Sequence, residues 1–262
     1  FVKTEMSGKP AKEPVFGVPG LWITKGKRVE AEHNGYVTLT APKLIRAHLQ
    51  EMIKENLSTV ITTQYVGELM DEVLKENEFL CKQLVKKYEN ASLHVVKQVL
   101  CSLLDEEVSI RNLIPILETI SNEPKYERAK LQSLVNKVRC AIIPYVIDSF
   151  GVYNNVIMVL ILSKKLSEYM FDNLTETGEI TFDPVTRKLF YDELSLKISE
   201  MINQGFSPVV FCVEPLRYSV KILLDSLGIS NIHVFSDMEL SIAGRKLNIP
   251  LQVFATIGEG FE

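Results

Sequence analysis

At 262 residues, with 46% hydrophobic and 24% charged side chains, the chain can bury one good-sized core or two to three small ones, and it is too apolar for intrinsic disorder. A formal charge of −4 and a pI near 5.7 argue against a domain built to neutralise phosphates, because nucleic-acid binding needs a basic face. No apolar run reaches the roughly 18 to 20 residues that cross a bilayer. The longest, Val156 to Leu162, is strand-sized.

Residues 1 to 12 are polar and read as a loop or ragged end, and a start at Phe1 with neither an initiator Met nor a signal-peptide pattern reads as a fragment. Short strand signals follow at Leu21 to Thr24, Arg28 to Ala31 and Tyr36 to Thr40, with Asn34-Gly35 as a hairpin turn. A helix opens near Thr40, with Pro42 close to its first position and Leu44, Ile45, Leu49, Met52 and Ile53 on one face. Another spans about Thr63 to Lys75, with Val66, Leu69, Met70 and Val73 inward.

From Glu78 to Glu123 the pattern is helical. Leu93, Val96, Leu100, Leu103 and Leu104, then Leu113, Ile114, Leu117 and Ile120, recur at helical spacing and predict an antiparallel helix pair. Between them stand Asp105, Glu106 and Glu107, too polar for a core, and two candidate caps, Ser109 and Asn112. Asn112 is favoured for the longer helix, since it places Pro115 in the first turn, where a missing N–H needs no partner; Ser109 would start a single preceding turn. A further helix over about Glu127 to Phe150 carries Pro144, which is expected to kink it or end it early.

The last part alternates strand and helix, which predicts a mixed or largely parallel sheet with strands at Val156 to Leu162, Pro208 to Val213, His233 to Phe235 and Leu251 to Ile257. Asp183-Pro184 should cap a long helix that Gly205 terminates, and Pro215 should open one that ends at Gly228. The fold class expected is thus α+β / α/β with several subdomains: a small α+β unit, a helical subdomain and a C-terminal mixed α/β sheet domain.

Chemistry is scarce. Gly20 to Arg28 departs from a phosphate loop in spacing and lacks the hydroxyl that would ligate magnesium, and His33, His48, His94 and His233 fall in different elements, so no cofactor and no metal are expected. Cys81, Cys101, Cys140 and Cys212 form no CxxC pair and read as buried free thiols suited to a reducing cytosol. The polar groups near Glu214, Arg217, Ser236 and Asp237, at the carboxyl ends of predicted strands, leave room for a small-molecule enzyme site as the alternative reading. Phe16, Val18 and Trp22 crowd a Gly/Pro-rich segment and need an apolar partner, naturally the Pro42 helix through Leu39 and Leu44. They form either the mini-core of a first subdomain or the lining of a partly open groove.

Three ordered segments carry a resemblance. Glu106 to Ile120, EEVSIRNLIPILETI with Glu106 as its first residue, Glu13-Pro14-Val15-Phe16-Gly17 followed by Leu21-Trp22-Ile23, and Leu44-Ile45-Arg46-Ala47-His48-Leu49 are similar to the FlhA/SctV family of type III export gate proteins, most of all to its flagellar branch, with the injectisome branch as the alternative. The resemblance implies a non-enzymatic cytoplasmic domain of a bacterial inner-membrane protein, with the transmembrane half upstream. It implies a remnant of an inserted β-rich subdomain at 1–35, an α+β segment at 36–77, a helical subdomain at 78–124 and an α/β subdomain at 125–262. It also implies a homononameric ring, other export-apparatus partners, no nucleic acid, and docking of flagellar chaperone–substrate complexes through Glu13, Phe16, Val18, Leu39, Leu44 and Ala47. Ala47 departs from the Thr common in relatives, which removes a hydroxyl from the rim. A closing motion between subdomains would hinge at the linker near Pro124.

Overall fold

A computed structural model of the chain describes residues 6–13, 17–75, 77–88, 92–123, 131–149, 156–229, 232–247 and 249–260. The fold divides into two compact units, Phe1–Thr62 and Thr63–Glu262.

In the first unit, strands β1 (Lys9–Lys12) and β2 (Pro19–Trp22) pair antiparallel, with Lys9 opposite Trp22 and Lys12 opposite Pro19. A 3-10 turn at Lys25–Lys27 leads into helix α1 (Arg28–His33), a stretch over 36–40 without regular structure, α2 (Ala41–Glu55) and the single turn α3 (Leu57–Val60). The strand expected at 28–31 is therefore helical. Arg28 and Glu32 meet across one turn at 2.8 Å, and Ala31 is buried. Asn34-Gly35 does not make the expected hairpin but closes α1: Tyr36 N–H donates to the Ala31 carbonyl and Gly35 N–H to that of Glu32, with Gly35 at φ 79°. A hairpin and a helix end both need a positive φ, so the dipeptide alone does not distinguish them. Residues 36–40 find no ladder, and β1 forms where a loop was expected, through backbone pairing with β2 alone.

The second unit begins with the helices α4 (Thr63–Lys75), α5 (Glu78–Tyr88), α6 (Ser92–Asp105), α7 (Leu113–Asn122) and α8 (Leu131–Ser149). Their facing stripes bury Val66, Leu84, Val96, Leu100, Leu103, Ile116, Leu117, Ile120, Val135, Val138 and Ile142. The turn after α6 is a Schellman motif, with Val108 N–H on the Leu103 carbonyl at 2.8 Å and Glu107 N–H on that of Leu104 at 2.9 Å. Glu107 takes the left-handed position, φ 58°, which a glycine usually fills. Asn112 stands at the N-cap of α7 with Pro115 in the first turn, although its side chain makes no cap bond, and residues 108–112 contain no preceding helical turn. Helix α8 runs on past Pro144, so the proline does not end it.

The rest of the unit is a four-stranded parallel sheet, ordered β5-β4-β3-β6, from β3 (Ile157–Leu162), β4 (Val209–Cys212), β5 (His233–Ser236) and β6 (Leu251–Ile257). Helices α9 (Lys164–Asp172), α10 (Pro184–Asn203) and α11 (Arg217–Ser226) bury Leu166, Met170, Phe190, Leu194, Val220 and Leu224 against Leu160, Val210 and Val234. Phe182 meets Phe190 edge-on at 5.5 Å. Alternation along the strands sends Phe235 to the opposite face, beneath the Arg139 guanidinium of α8, where α12 (Asp237–Leu247) also packs. The cap at Asp183 accepts from the amides of Val185 and Thr186 at 3.0 and 3.1 Å, and Gly205 and Gly228 end α10 and α11 as expected. No helix among the described residues is long and apolar enough to cross a membrane.

Candidate functional site

All the residues expected to bind a partner lie in the first unit. Beyond the paired residues of β1 and β2, Glu13 N–H donates to the Val18 carbonyl at 2.8 Å, and Gly17 N–H donates to the Glu13 carbonyl at 2.9 Å, with Gly17 at φ 67°. Glu13 is half-buried beside an exposed Val18. Phe16 lies outside the described residues. Val18 and Trp22 are each 54% exposed, so these two do not fill a mini-core. They lie on the surface of the hairpin, a large apolar area for so short a segment.

Leu39, also exposed, precedes α2, whose first backbone hydrogen bond runs from Leu44 N–H to the Thr40 carbonyl at 2.9 Å. On α2, Leu44 and Ala47 are three residues apart and share a half-buried side. Ile45, Leu49 and Met52, spaced at i, i+4 and i+7, form a second stripe with Ile53 that is exposed, Ile45 to 67%. Periodicity grouped Leu44 with this stripe; the structure separates them. The exposed stripe is thus an apolar surface that the sequence flagged by its spacing.

The second place with polar density is the carboxyl end of the sheet, and there the polar groups pair with one another. Arg217, at the start of α11, is buried, and both its terminal nitrogens bond the Glu106 carboxylate of the α6–α7 turn, with Nη2 to Oε1 at 3.2 Å. Arg217 Nη2 also donates to Asn136 Oδ1 at 2.8 Å. Arg139, equally buried, holds Glu106 Oε2 at 3.2 Å, Glu239 Oε1 at 2.6 Å and the Val234 carbonyl at 3.2 Å. Ser236 and Glu239 form a capping box: Ser236 N–H donates to Glu239 Oε2 at 2.8 Å and Glu239 N–H to Ser236 Oγ at 3.2 Å. Asp237 Oδ1 takes the Glu214 amide at 2.8 Å, and Glu214 in turn accepts from Asn136.

Two arginines and two glutamates therefore cancel inside the fold, and Glu214, Arg217, Ser236 and Asp237 are turned to internal bonding rather than toward a ligand. Desolvation holds the Arg139 guanidinium less tightly charged while Glu239 and Glu106 hold it more so, and the net direction is upward. Burial pushes the thiols of Cys140 and Cys212 up to about 11 and about 12, which leaves both as protonated, unreactive groups. The small-molecule enzyme reading loses its residues here.

The sequence matches the FHIPEP family over residues 2–243. The chain belongs to that family. It is a family of transport components and not of enzymes. The flagellar biosynthesis protein FlhA of Borreliella burgdorferi is 28% identical over 259 residues, 98% of this chain and 36% of that protein. The FlhA of Helicobacter pylori strain J99 is 25% identical over 244 residues, 92% of this chain and 33% of that protein. The chain thus spans about a third of the length of the curated relatives it matches. Among solved structures, the Chlamydia pneumoniae CdsV protein matches with a TM-score of 0.69 at 20% identity, covering 92% of this chain and 68% of that one. A nonameric SctV-C from EPEC, solved by cryo-EM, matches with a TM-score of 0.67 at 22% identity, covering 89% and 68%. These likenesses establish the fold, a mixed architecture of helices with a parallel four-stranded sheet and a small antiparallel one.

Proposed function

We propose that this chain is the cytoplasmic domain of a flagellar type III export gate, which docks chaperone–substrate complexes and assembles into a ring below the export pore. The observation that carries the reading is family membership over residues 2–243, together with flagellar relatives aligned across nearly the whole chain. The flagellar branch is preferred to the injectisome branch because the curated relatives are flagellar proteins, whereas the injectisome structures resemble the chain at 20–22% identity and speak for fold alone. Ring assembly is supported by the nonameric state of SctV-C, a protein of the same fold. The same reading keeps the subdomain limits near residues 35, 77 and 124 and puts the domain on the cytoplasmic side of the inner membrane.

The docking surface proposed is the first unit, with Glu13, Phe16, Val18, Leu39, Leu44 and Ala47 as its contacts. What supports it is exposed apolar area at Val18, next to a half-buried Glu13, and at Leu39. An amphipathic helix laid on such a surface gains by displacing water from the apolar side chains, and Glu13 sets its orientation. Isothermal titration with flagellar chaperone–substrate complexes tests this. Wild type should bind saturably, and Phe16→Ala should bind at least tenfold more weakly, since removing a central aromatic anchor costs on the order of 2 kcal/mol or more. Equal binding by both proteins would move the site elsewhere.

A further inference from the structure

The Glu106 cluster joins parts of the chain that are remote in sequence and different in architecture. Glu106 belongs to the turn between two helices of the helical layer, and its partner Arg217 stands 111 positions later, at the head of the helix that follows β4. Arg139, from α8, reaches 100 positions to Glu239 on α12 and 95 to the β5 backbone. The side chains of all four charged residues are no more than 6% exposed.

A buried ion pair is a poor source of net stability, because the attraction roughly repays the loss of hydration. It does impose geometry. Arg217 offers Glu106 a two-nitrogen fork whose bonds form only at one distance and one angle, whereas apolar side chains tolerate sliding. The cluster is closed on itself: two positive and two negative groups, further bonded by Asn136 and by the capping box at Ser236. Sliding the α6–α7 pair along the sheet by even a fraction of a turn would leave at least one of these charges buried without its counter-charge.

We propose that the Glu106–Arg217–Arg139–Glu239 cluster is a clamp that fixes the α6–α7 helix pair and α8 onto the parallel sheet in one register, so that helical layer and sheet move as a single body. The linker near Pro124, which itself lies outside the described residues, is then not the hinge of any closing motion. Flexing has to occur outside the clamped body.

Hydrogen exchange read by mass spectrometry on the whole chain tests the clamp, with Glu106→Gln and the double variant Glu106→Leu/Arg217→Met. The double variant removes the pair together and leaves Arg139 and Glu239 to neutralise each other. In wild type, α7 and strands β4 and β5 should open together. In both variants the amides of the α6–α7 pair should exchange at least tenfold faster, with those of β3, β4 and β5 unchanged, and the double variant should melt near the wild-type temperature. Three results would overturn the proposal: a double variant whose α6–α7 amides stay as protected as in wild type, an equal rise in helices and sheet, or failure of both variants to fold. The last would mean that the cluster holds up the unit as a whole rather than coupling two parts of it.

Discussion

Gly258 follows β6 at a point where three elements converge, and replacing it with alanine should be among the more damaging single-methyl additions in the chain. Its amide donates to both oxygens of Glu193 on α10, at 3.2 and 3.1 Å, and its carbonyl accepts from Ser163 Oγ at 2.7 Å. Ser163 also caps α9 by accepting from Leu166 N–H at 3.1 Å. A Cβ at position 258 would stand 2.7 Å from Leu166 Cδ2 and 2.8 Å from Leu166 Cβ. The first atom can rotate away, but the second is fixed to the α9 backbone, so the strand end or the helix must shift. Backbone strain adds to this, because Gly258 sits at φ 83°. A left-handed alanine costs roughly 1–2 kcal/mol, and overpacking a well-filled site a further 1–3 kcal/mol or so. Gly258→Ala should therefore lose about 3 kcal/mol, or roughly 6–12 °C in melting temperature for a unit of this size.

Gly205→Ala is the matched control. Gly205 has the same φ of 83° but open space around its Cβ position, so only the backbone part, roughly 1–2 kcal/mol, should appear. Thermal melts followed by circular dichroism, with urea titration for the free energies, measure both. Equal losses for the two variants would refute the steric part of the argument, and a smaller loss at 258 than at 205 would refute it altogether.

Glu107→Gly should stabilise the chain by up to about 1 kcal/mol in urea titration, since glycine relieves the left-handed strain of the Schellman position after α6 while losing some chain entropy on folding. His233 is held neutral by burial, with Lys221 and Arg139 adding to the effect, and its pKa falls to about 4 against an ordinary 6.5. The unfolded chain therefore takes up this proton first, and stability should decline as pH drops from about 6.5 towards 4, by up to roughly 3 kcal/mol. In His233→Phe that part of the acid loss should vanish from pH-dependent urea melts. Pro144→Ala should raise the melting temperature, because α8 continues past a residue that cannot donate to the preceding turn; an unchanged or lower value would mean that its ring packing outweighs the missing hydrogen bond.

Most of the second unit was legible where local chemistry is decisive. The four strands of the sheet lie within a residue or so of their apolar runs, and α10 begins at Asp183-Pro184 and ends at Gly205, because caps and breakers act on adjacent backbone and need no distant partner. The first unit was less legible. Residues 28–31 and 36–40 alternate weakly enough for either state, and a four-residue strand such as β1 exists only because β2 lies beside it. Spacing on α2 showed that an apolar face exists but could not show whether anything covers it, and Ile45 and Leu49 are found exposed.

By itself the sequence determined the family, through a resemblance, and, through short-range pattern and capping, the four strands of the sheet and the helices α4 to α8, α10 and α11; helices α9 and α12 it left unassigned. Only the tertiary structure decided the fate of the charges. Glu106 looked like one of three carboxylates in a solvated turn, while Arg217 looked available for a ligand, because nothing within a few residues of either signals a partner. Folding brings them together across 111 positions and removes both from water. Pairing over such a separation depends on where the sheet sets α11 against the α6–α7 turn, and that is a property of the packed molecule rather than of any one segment.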